Sequence, residues 1–578
     1  MKKIIYILLI FTAAGFIGCE DVLDKYPLDS ITDAEFWKTE NDLKLYLTSL
    51  YNDVLPGFPG GDDTYSYDRG TDIIIEGSTV YTFTYTDQLN GKLIVPNSGG
   101  GWDWSNVRKV NYFLNNVDKI EEVTEDTDHY IGEGYFFRAY VYFDLFKKFG
   151  GLPLIDKVLG LKDNDYLYAP RASRTETADF IIADLDKAIS KLKNKGKIAA
   201  GRINKDIALL FKARVCLYEG TWEKYHAGTV FAGNGNVTAY IRAAADAAYE
   251  VINKGNYTIS KVGDTANAYH NLFTTVSAKI KSNPEVMLYR HYNMWDYGIG
   301  NLVGRQVARQ GMTHKMTRYY LCRDGLPMSV SPLVDHTAKL GLTEIEKDRD
   351  PRFDQCLITR GELDLVDKDG RIDYFTIPVM DMVSSAYQIS KWRTDWVDPK
   401  SNLRSEELPY IIFRFAEALL IYAEAKEELG EFNQAVADLT INKIRDRVGM
   451  PHMVVPIPFT DIEWLDYGTP ISRELQEIRR ERTVELFGEG FRFDDLARWR
   501  AHKILLDMGR PVGAYLTPAD GIAAKYPKLK VNAEGYLDFM IDKFPDGKYG
   551  FNPGRDYLLP LPKDQLKLNE KLVQNPGW

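Results

Sequence analysis

"PYIIFRFAEALLIYAEAKEELGEFNQAVADLTINKIRDRVG" runs from Pro409 to Gly449. Two stretches of helical apolar spacing stand there back to back. Pro409 suits a helix start, where a missing amide hydrogen costs nothing, and Gly430 suits a helix end. After a short turn the second stretch runs from Asn433 back to Gly449. Two helices joined this way form a hairpin of about TPR length, a unit that buries its apolar face against the next one. The spacing therefore predicts an α-helical scaffold.

Further helices surround this pair. "SRELQEIRRERTVELFGEGFRFDDLARWR" (Ser472–Arg500) reads as a helix, a glycine-rich turn and a second helix. Upstream, "AYIRAAADAAYEVINKG" ends at Gly255, and Asn204 caps "KDIALLFKARVCLYEG", which is expected to stop at Gly220. Ser173 with Glu176 forms a capping-box pattern. "GEGYFFRAYVYFDLFKKFGG" (Gly132–Gly151) is apolar nearly all round, as a helix between helices must be. Ser105 is the expected cap of a helix over 105–120, and a first helix is expected over Asp33–Val54. The scaffold thus occupies mainly residues 33–54, 105–255 and 409–500.

The rest is loop-rich. Residues 56–101 carry turn signals, and residues 258–408 mix short strands, turns and helices into a minor-β lobe. Asp364–Phe375 reads as a hairpin around Asp369-Gly370. Its acids fall short of an EF-hand loop, because Leu365 stands where that pattern needs an acid. No CxxC or HExxH occurs, and the eight histidines have no ligand spacing, so no metal or cofactor is expected. A formal net charge of −10 argues against nucleic acid as a partner.

The N-terminus has its own signature. Met1-Lys2-Lys3 precedes an apolar run from Ile4 to Ile17, then Gly18 and Cys19. This is a secretory signal peptide, and "FIGC" resembles a bacterial lipobox. The resemblance implies cleavage after Gly18 and a diacylglycerol on Cys19. It leaves residues 19–578 as the mature domain. Several lipid chains together anchor such a domain stably. Glu20, Asp21 and Asp24 resemble the surface-export signal of Bacteroidetes lipoproteins. With Cys19 lipidated, three cysteines remain and give no disulfide framework, although a Cys322–Cys356 bond stays open.

Five blocks in order carry a wider resemblance: "CEDVLDKYPLDSITDAEFWKTENDLKLYLTSLY", "GEGYFFRAYVYFDLFKKFGGLPLI", "LPYIIFRFAEALLIYAEAKEELG", "RRERTVELFGEGFRFDDLARWR" and "LLPLPKDQLKLNEKLVQNPGW". They resemble the RagB/SusD family of outer-membrane nutrient-binding lipoproteins. That implies four TPR-like helix pairs carrying a variable ligand-binding lobe. It implies a surface-exposed, lipid-anchored protein of the outer membrane. Such a protein passes oligosaccharide to a SusC-like TonB-dependent transporter and catalyses nothing.

Two kinds of residue compete for the functional role. The block from Arg479 to Arg498 holds many acids, but each has arginines at helical spacing. A carboxylate paired with arginine is a poor general acid. Arg482, Glu485, Glu489 and Arg492 are therefore expected to form an ion-pair lock between two helices. Sugar recognition instead needs flat aromatics with polar edges, placed on loops. "GGGWDWSN" offers Trp102, Trp104 and Asn106; "YRHYNMWDYGIGN" offers Tyr292, Trp295 and Tyr297; "YSYDRGTD" adds Asp68, Arg69 and Asp72. An extended backbone would place Trp102 and Trp104 on one face, and one of them at least is expected to share a shallow site with the lobe aromatics. Core packing is the competing role of each, with Trp392 and Trp396 as alternative platforms. Other readings stay open: a peptide or glycopeptide ligand, a glycoside hydrolase using Asp68 or Asp72, and a TPR scaffold that binds only protein.

Overall fold

The computed structural model describes residues 36–58, 68–76, 87–301, 303, 310–380, 383, 385–398, 403–404, 407–538, 540–541, 544 and 547–578. Cys19 and its neighbours lie outside the described residues. Among the described residues no helix is long and apolar enough to cross a membrane.

The protein is mainly helical. The scaffold helices are α1 (Glu40–Val54), α2 (Ser105–Leu114), α3 (Glu125–Phe149), α4 (Arg174–Lys191), α5 (Lys205–Tyr225) and α6 (Val237–Asn253), followed by α7 (Phe415–Glu428), α8 (Gln434–Leu439), α9 (Ile441–Asp446), α10 (Arg473–Glu485) and α11 (Arg492–Arg498). Neighbours pack in sequence, α3 on α4, α4 on α5, α5 on α6, and α7 closes over α6. Among the described residues, four two-stranded antiparallel sheets accompany the helices: β1 (Ile74–Glu76) with β3 (Gln310–Met312), β2 (Val286–Arg290) with β8 (Tyr410–Arg414), β4 (Leu363–Val366) with β5 (Ile372–Tyr374), and β6 (Val397–Asp398) with β7 (Leu403–Arg404). One apolar core fills the helical layers and a second fills the lobe, around Tyr269, Phe273, Tyr320, Phe353 and Tyr387.

Local chemistry sets the helix ends, and it corrects several expectations. The Ser173 box forms as read, and Asn204 accepts from the amides of Asp206 and Ile207. Thr124 caps α3. However, Gly220 does not stop α5. A Cβ there would lie 2.7 Å from Ile241 Cγ1 of α6, so this glycine lets two helices approach closely while the helix runs on to Tyr225. Ser105 is the first residue inside α2, and its amide donates to Asp103 Oδ1 at 2.9 Å. The first helix begins at Glu40, behind a Thr39–Asp42 capping box.

The opening stretch is also split. Tyr410–Arg414 is a strand, and the helix starts at Phe415. Ile411, Ile412 and Phe413 are strand formers, and their partner β2 comes from the lobe more than a hundred residues earlier. The returning helix breaks at Thr440, where ψ turns to −89°.

The acids of α10 find their partners far from the helix. Glu485 accepts from Arg414 Nη1 at 2.6 Å, Arg447 Nη1 at 2.8 Å and Arg352 Nη1 at 3.2 Å. Glu489 binds Arg414 and Lys391, Glu481 binds Arg352 and Arg445, and Glu285 binds Arg414 and Arg447. All of these side chains are buried. The expected lock is real, but it is not internal to the two helices. Within that block, among the described residues, the pairs joining α10 and α11 reduce to Arg482–Asp495, and Asp495 also holds Arg498. Arg492 instead reaches back to Asp72. Burial alone would raise the Glu485 carboxyl, yet Arg447, Arg414 and Arg352 hold it well below the usual range. Cys216, Cys322 and Cys356 are free and buried.

Two predictions follow from this interior. Glu485→Gln leaves three buried guanidiniums short of charge, and removing one partner of such a set costs about 3–5 kcal/mol; chemical denaturation of the variant measures it. Glu424 is buried, but Arg498 holds its carboxyl down to about 2 from an ordinary 4.5. A depressed carboxylate stabilises above its unfolded pKa, so this contribution is lost as pH falls from about 4.5 to about 2. In acid titration followed by circular dichroism, Glu424→Gln should lie closer to the parent at the acid end than at neutral pH.

Candidate functional site

The early acidic loop faces inward. Asp68 is buried and accepts the amides of Arg492 at 2.8 Å and Gly490 at 2.9 Å. Burial pushes its carboxyl up to about 6 against those two amides. Asp72 is buried, takes a bidentate pair from Arg492 at 2.7 Å, and accepts from Tyr319 Oη at 2.5 Å. Burial alone would raise its carboxyl, but Arg492 brings it below the ordinary value. Arg69 is half-buried and pairs through its backbone with Ile74. These residues clip the early segment to the start of α11. Asp68 and Asp72 therefore lie where no ligand reaches them, contrary to the site expected from sequence.

The glycine-flanked tryptophans form a brace. Gly99, Gly100 and Gly101 have φ of 70°, 59° and 82°, so the loop reading holds. Trp102 is 9% exposed and meets Phe149 of α3 edge-on, with ring centroids 4.9 Å apart. Trp104 is half-buried, edge-on to Trp102 at 5.3 Å and to Tyr142 at 6.0 Å. The two rings are thus perpendicular partners and make no flat face. Asn106 is half-buried and donates weakly to the Asp53 carbonyl at 3.4 Å. The α2 start is held by packing on α3, and the cavities described below bring it together with none of the lobe aromatics.

The lobe loop is different. Tyr292 is buried, with its hydroxyl accepting the Phe58 amide at 3.1 Å and its ring 5.9 Å from that of Phe58. Three residues on, Trp295 is 39% exposed, beside Met294 and Ile299, which are also exposed. Met294–Tyr297 is a single helical turn. Asn293 caps it by accepting the Asp296 amide at 2.8 Å, and Gly298 ends it at φ 65°. Asn293 and Ile299 exchange backbone hydrogen bonds at 2.8 and 3.2 Å and close the loop, while Glu407 accepts the Met294 amide. The side chain of Tyr297 lies outside the described residues. An apolar tip therefore stands in water on a tied loop, with Asn293, Asp296 and His291 at its rim.

Of the alternative platforms, Trp392 is buried against Phe58 and Phe273. Trp396 is half-buried and lines an open hollow of about 570 Å³ with Asn271, Thr275 and Lys279. Another cavity, of about 480 Å³, has Trp464, Tyr467, Met508 and Lys315 in its walls. No sequence signal pointed to it, because its walls come from three separate segments. Several of its charges are already satisfied, as Arg318 pairs with Glu463, Arg480 with Asp461 and Arg510 with Asp538.

Comparison with known proteins agrees with this architecture. The model described as "SusD family" matches residues 250–578, and one described as "Starch-binding associating with outer membrane" matches residues 74–217. SusD-like protein P38 of Formosa agariphila is 27% identical over 502 residues, covering 86% of this chain and 91% of its own. SusD-like protein P2 of the same organism is 24% identical over 600 residues, covering 100% and 99%. Among solved structures, a SusD-like carbohydrate binding protein from Bacteroides fragilis superposes with a TM-score of 0.72 at 22% identity, covering 93% of this chain and all of its own. A laminarin binding SusD-like protein superposes with a TM-score of 0.57 at 20% identity, covering 94% of this chain and 100% of its own.

The two tryptophan sites separate in one experiment. Trp102→Ala empties a core position and should cost about 3–5 kcal/mol. Trp295→Ala touches an exposed tip and should change stability by no more than about 0.5 kcal/mol. Thermal melts of both variants check this; equal losses would mean that Trp295 is structural as well.

Proposed function

Because the chain belongs to the SusD/RagB family, we propose that it captures an oligosaccharide at the cell surface and hands it to a TonB-dependent transporter in the outer membrane. Lipid on Cys19 is the tether in this reading. The starch-binding, outer-membrane description of the model matching residues 74–217 supports glycan as the ligand class, as do the carbohydrate- and laminarin-binding names of two structural relatives.

The observation that carries the reading is the exposure of Trp295 on a loop already closed by backbone hydrogen bonds. A pyranose presents a face of C–H groups and a rim of hydroxyls. The indole of Trp295 offers the matching flat surface, extended by Met294 and Ile299. Asn293, Asp296 and His291 supply donors and acceptors for the hydroxyl rim. Tyr292 backs this surface from within. Since the loop is held before the ligand arrives, little ordering cost falls on binding. Trp102, Trp104, Asn106, Asp68, Arg69 and Asp72 support the scaffold in this reading. Asp68 and Asp72, the carboxylates a hydrolase would have needed, are buried and bonded. Their burial supports binding without turnover.

A glycan array including laminarin and starch oligosaccharides, followed by calorimetry on the glycan retained, tests the proposal. Trp295→Ala should weaken binding about thirtyfold, the scale of losing a central aromatic anchor of about 2 kcal/mol. The parent should release no reducing ends from the same glycan. Undiminished binding by Trp295→Ala would place the ligand elsewhere, and steady release of reducing ends would make the protein an enzyme.

A further inference from the structure

Most buried carboxylates in this protein pair with a cation. One cluster at the lobe surface, with Glu346 and Glu362 half-buried and Asp354 exposed, makes no such pair. Glu346, Asp354 and Glu362 each bring a carboxylate oxygen to a common point, with these oxygens all within 4.8 Å of one another. Among the described residues no lysine, arginine or histidine nitrogen lies within ion-pairing distance, 4.0 Å, of any of the three. Three like charges packed this closely repel, and a retained proton or a cation between them relieves the repulsion.

The hydrogen bonding around the group is incomplete as well. Thr359 Oγ1 sits 3.1 Å from Glu346 Oε2 and 3.0 Å from Glu362 Oε1, yet a hydroxyl has one hydrogen to give. The Thr359 amide donates to Glu362 Oε2 at 2.6 Å. Glu346 Oε1 is fully buried and no donor reaches it. A buried carboxylate oxygen with no partner costs at least as much as a lost hydrogen bond. Burial pushes all three carboxyls above their ordinary range, Glu362 to about 7, and the charges of Glu362 and Asp354 push Glu346 further. Asp354 and Glu362 also line a hollow of about 290 Å³ that opens to solvent, so water has access from one side.

We propose that Glu346, Asp354 and Glu362 bind one divalent cation, and that the cation is calcium. The donors are all hard oxygens, which excludes metals that prefer nitrogen or sulfur. Calcium–oxygen bonds are about 2.3–2.6 Å, so ligands on opposite sides of one ion stand about 4.6–5.2 Å apart. The carboxylate oxygens here are no further apart than that. Magnesium, with bonds of about 2.0–2.1 Å, demands a tighter and more regular set. Water from the hollow completes the coordination. Glu346 Oε1 gains the partner it lacks, and Thr359 is free to serve Glu362 alone.

The position gives the ion a structural task. Glu346 lies in the turn before the helix Pro351–Asp354, Asp354 ends that helix, and Glu362 stands at the root of the β4–β5 hairpin. Arg352, in the same short helix, reaches Glu481 and Glu485 of α10. One ion would tie the exposed hairpin to the buried ionic centre through a single helical turn.

Isothermal titration of the mature chain with calcium chloride, after EDTA treatment and dialysis, tests this. One saturable calcium site per chain is expected, left unfilled by millimolar magnesium, with a melting temperature that rises with calcium as mass action requires. Glu362→Gln and Asp354→Asn should each lower calcium affinity at least tenfold. In EDTA both should melt no lower than the parent, because each removes a repelling charge. Absence of saturable binding into the millimolar range would overturn the site. So would calcium affinity unchanged in the double variant, which would place the ion elsewhere. Equal binding of magnesium would overturn the choice of calcium.

Discussion

Glu485 sits where three distant parts of the chain meet. Its two oxygens take guanidinium groups from the lobe (Arg352), from strand β8 (Arg414) and from the end of α9 (Arg447). The directly linked set around it holds five acids, Asp350, Glu285, Glu481, Glu485 and Glu489, and five bases, Arg352, Lys391, Arg414, Arg445 and Arg447. Removing such charges from water is costly, and the cost is offset only when each charge finds its partner with good geometry. A set balanced five against five meets that condition only when every contributing segment has arrived. Scaffold and lobe are thereby bound into one folding unit. Neither apolar core would impose this alone, because hydrophobic contact is tolerant of register while a bidentate ion pair is not.

The same arrangement divides labour along the chain. The most densely charged stretch, Arg479–Arg498, looks on paper like a site of chemistry. Most of its charges are consumed by the interior, and Glu485 and Glu489 are held ionised by the arginines and the lysine around them, which removes both from proton transfer. The proposed recognition falls to loops whose backbone is satisfied locally and whose side chains stand outside the lock. The loop around Trp295 meets that description. The loop around Trp102 does not, because its rings are spent bracing α2 against α3.

Sequence alone carried the helical scaffold far. Capping boxes and terminal glycines are local signals, and Ser173, Asn204, Gly255 and Gly430 all act as read. Failures occurred where a distant segment overrode the local pattern. Gly220 resembles a helix stop, but Ile241 on the neighbouring helix explains it. Tyr410–Arg414 continues a helical spacing, but β2 draws it into a strand. Asp68 and Asp72 have the composition of a recognition loop, and only their contact with Gly490 and Arg492, more than four hundred residues on, shows them to be clips. Residue type cannot separate a binding carboxylate from a structural one; the partner decides, and partners of high sequence separation leave no local trace. For the same reason the trio Glu346, Asp354 and Glu362 was invisible, since sixteen positions of turn and helix separate its ends.

The proposed platform and the ionic centre are joined by one strand. Glu285 accepts Arg414 and Arg447 in the centre and also receives the Phe415 amide through its carbonyl. β2 begins at the next residue, pairs with β8 along Val286–Arg290, and leads into the loop that lifts Trp295. Arg290, at the far end of that strand, donates to the carbonyls of Asn52 and Leu55 and so ties the loop base to α1. Ten residues after a fixed charge, with one edge of the strand paired and both of its ends held, the chain has little freedom to move the indole relative to the scaffold. A flat, shallow sugar surface gains only a few kcal/mol from each ring it touches. Such a site can bind well only if the ring is already in place. The buried charges lie apart from the proposed sugar surface, yet through β2 they set where the exposed tryptophan stands.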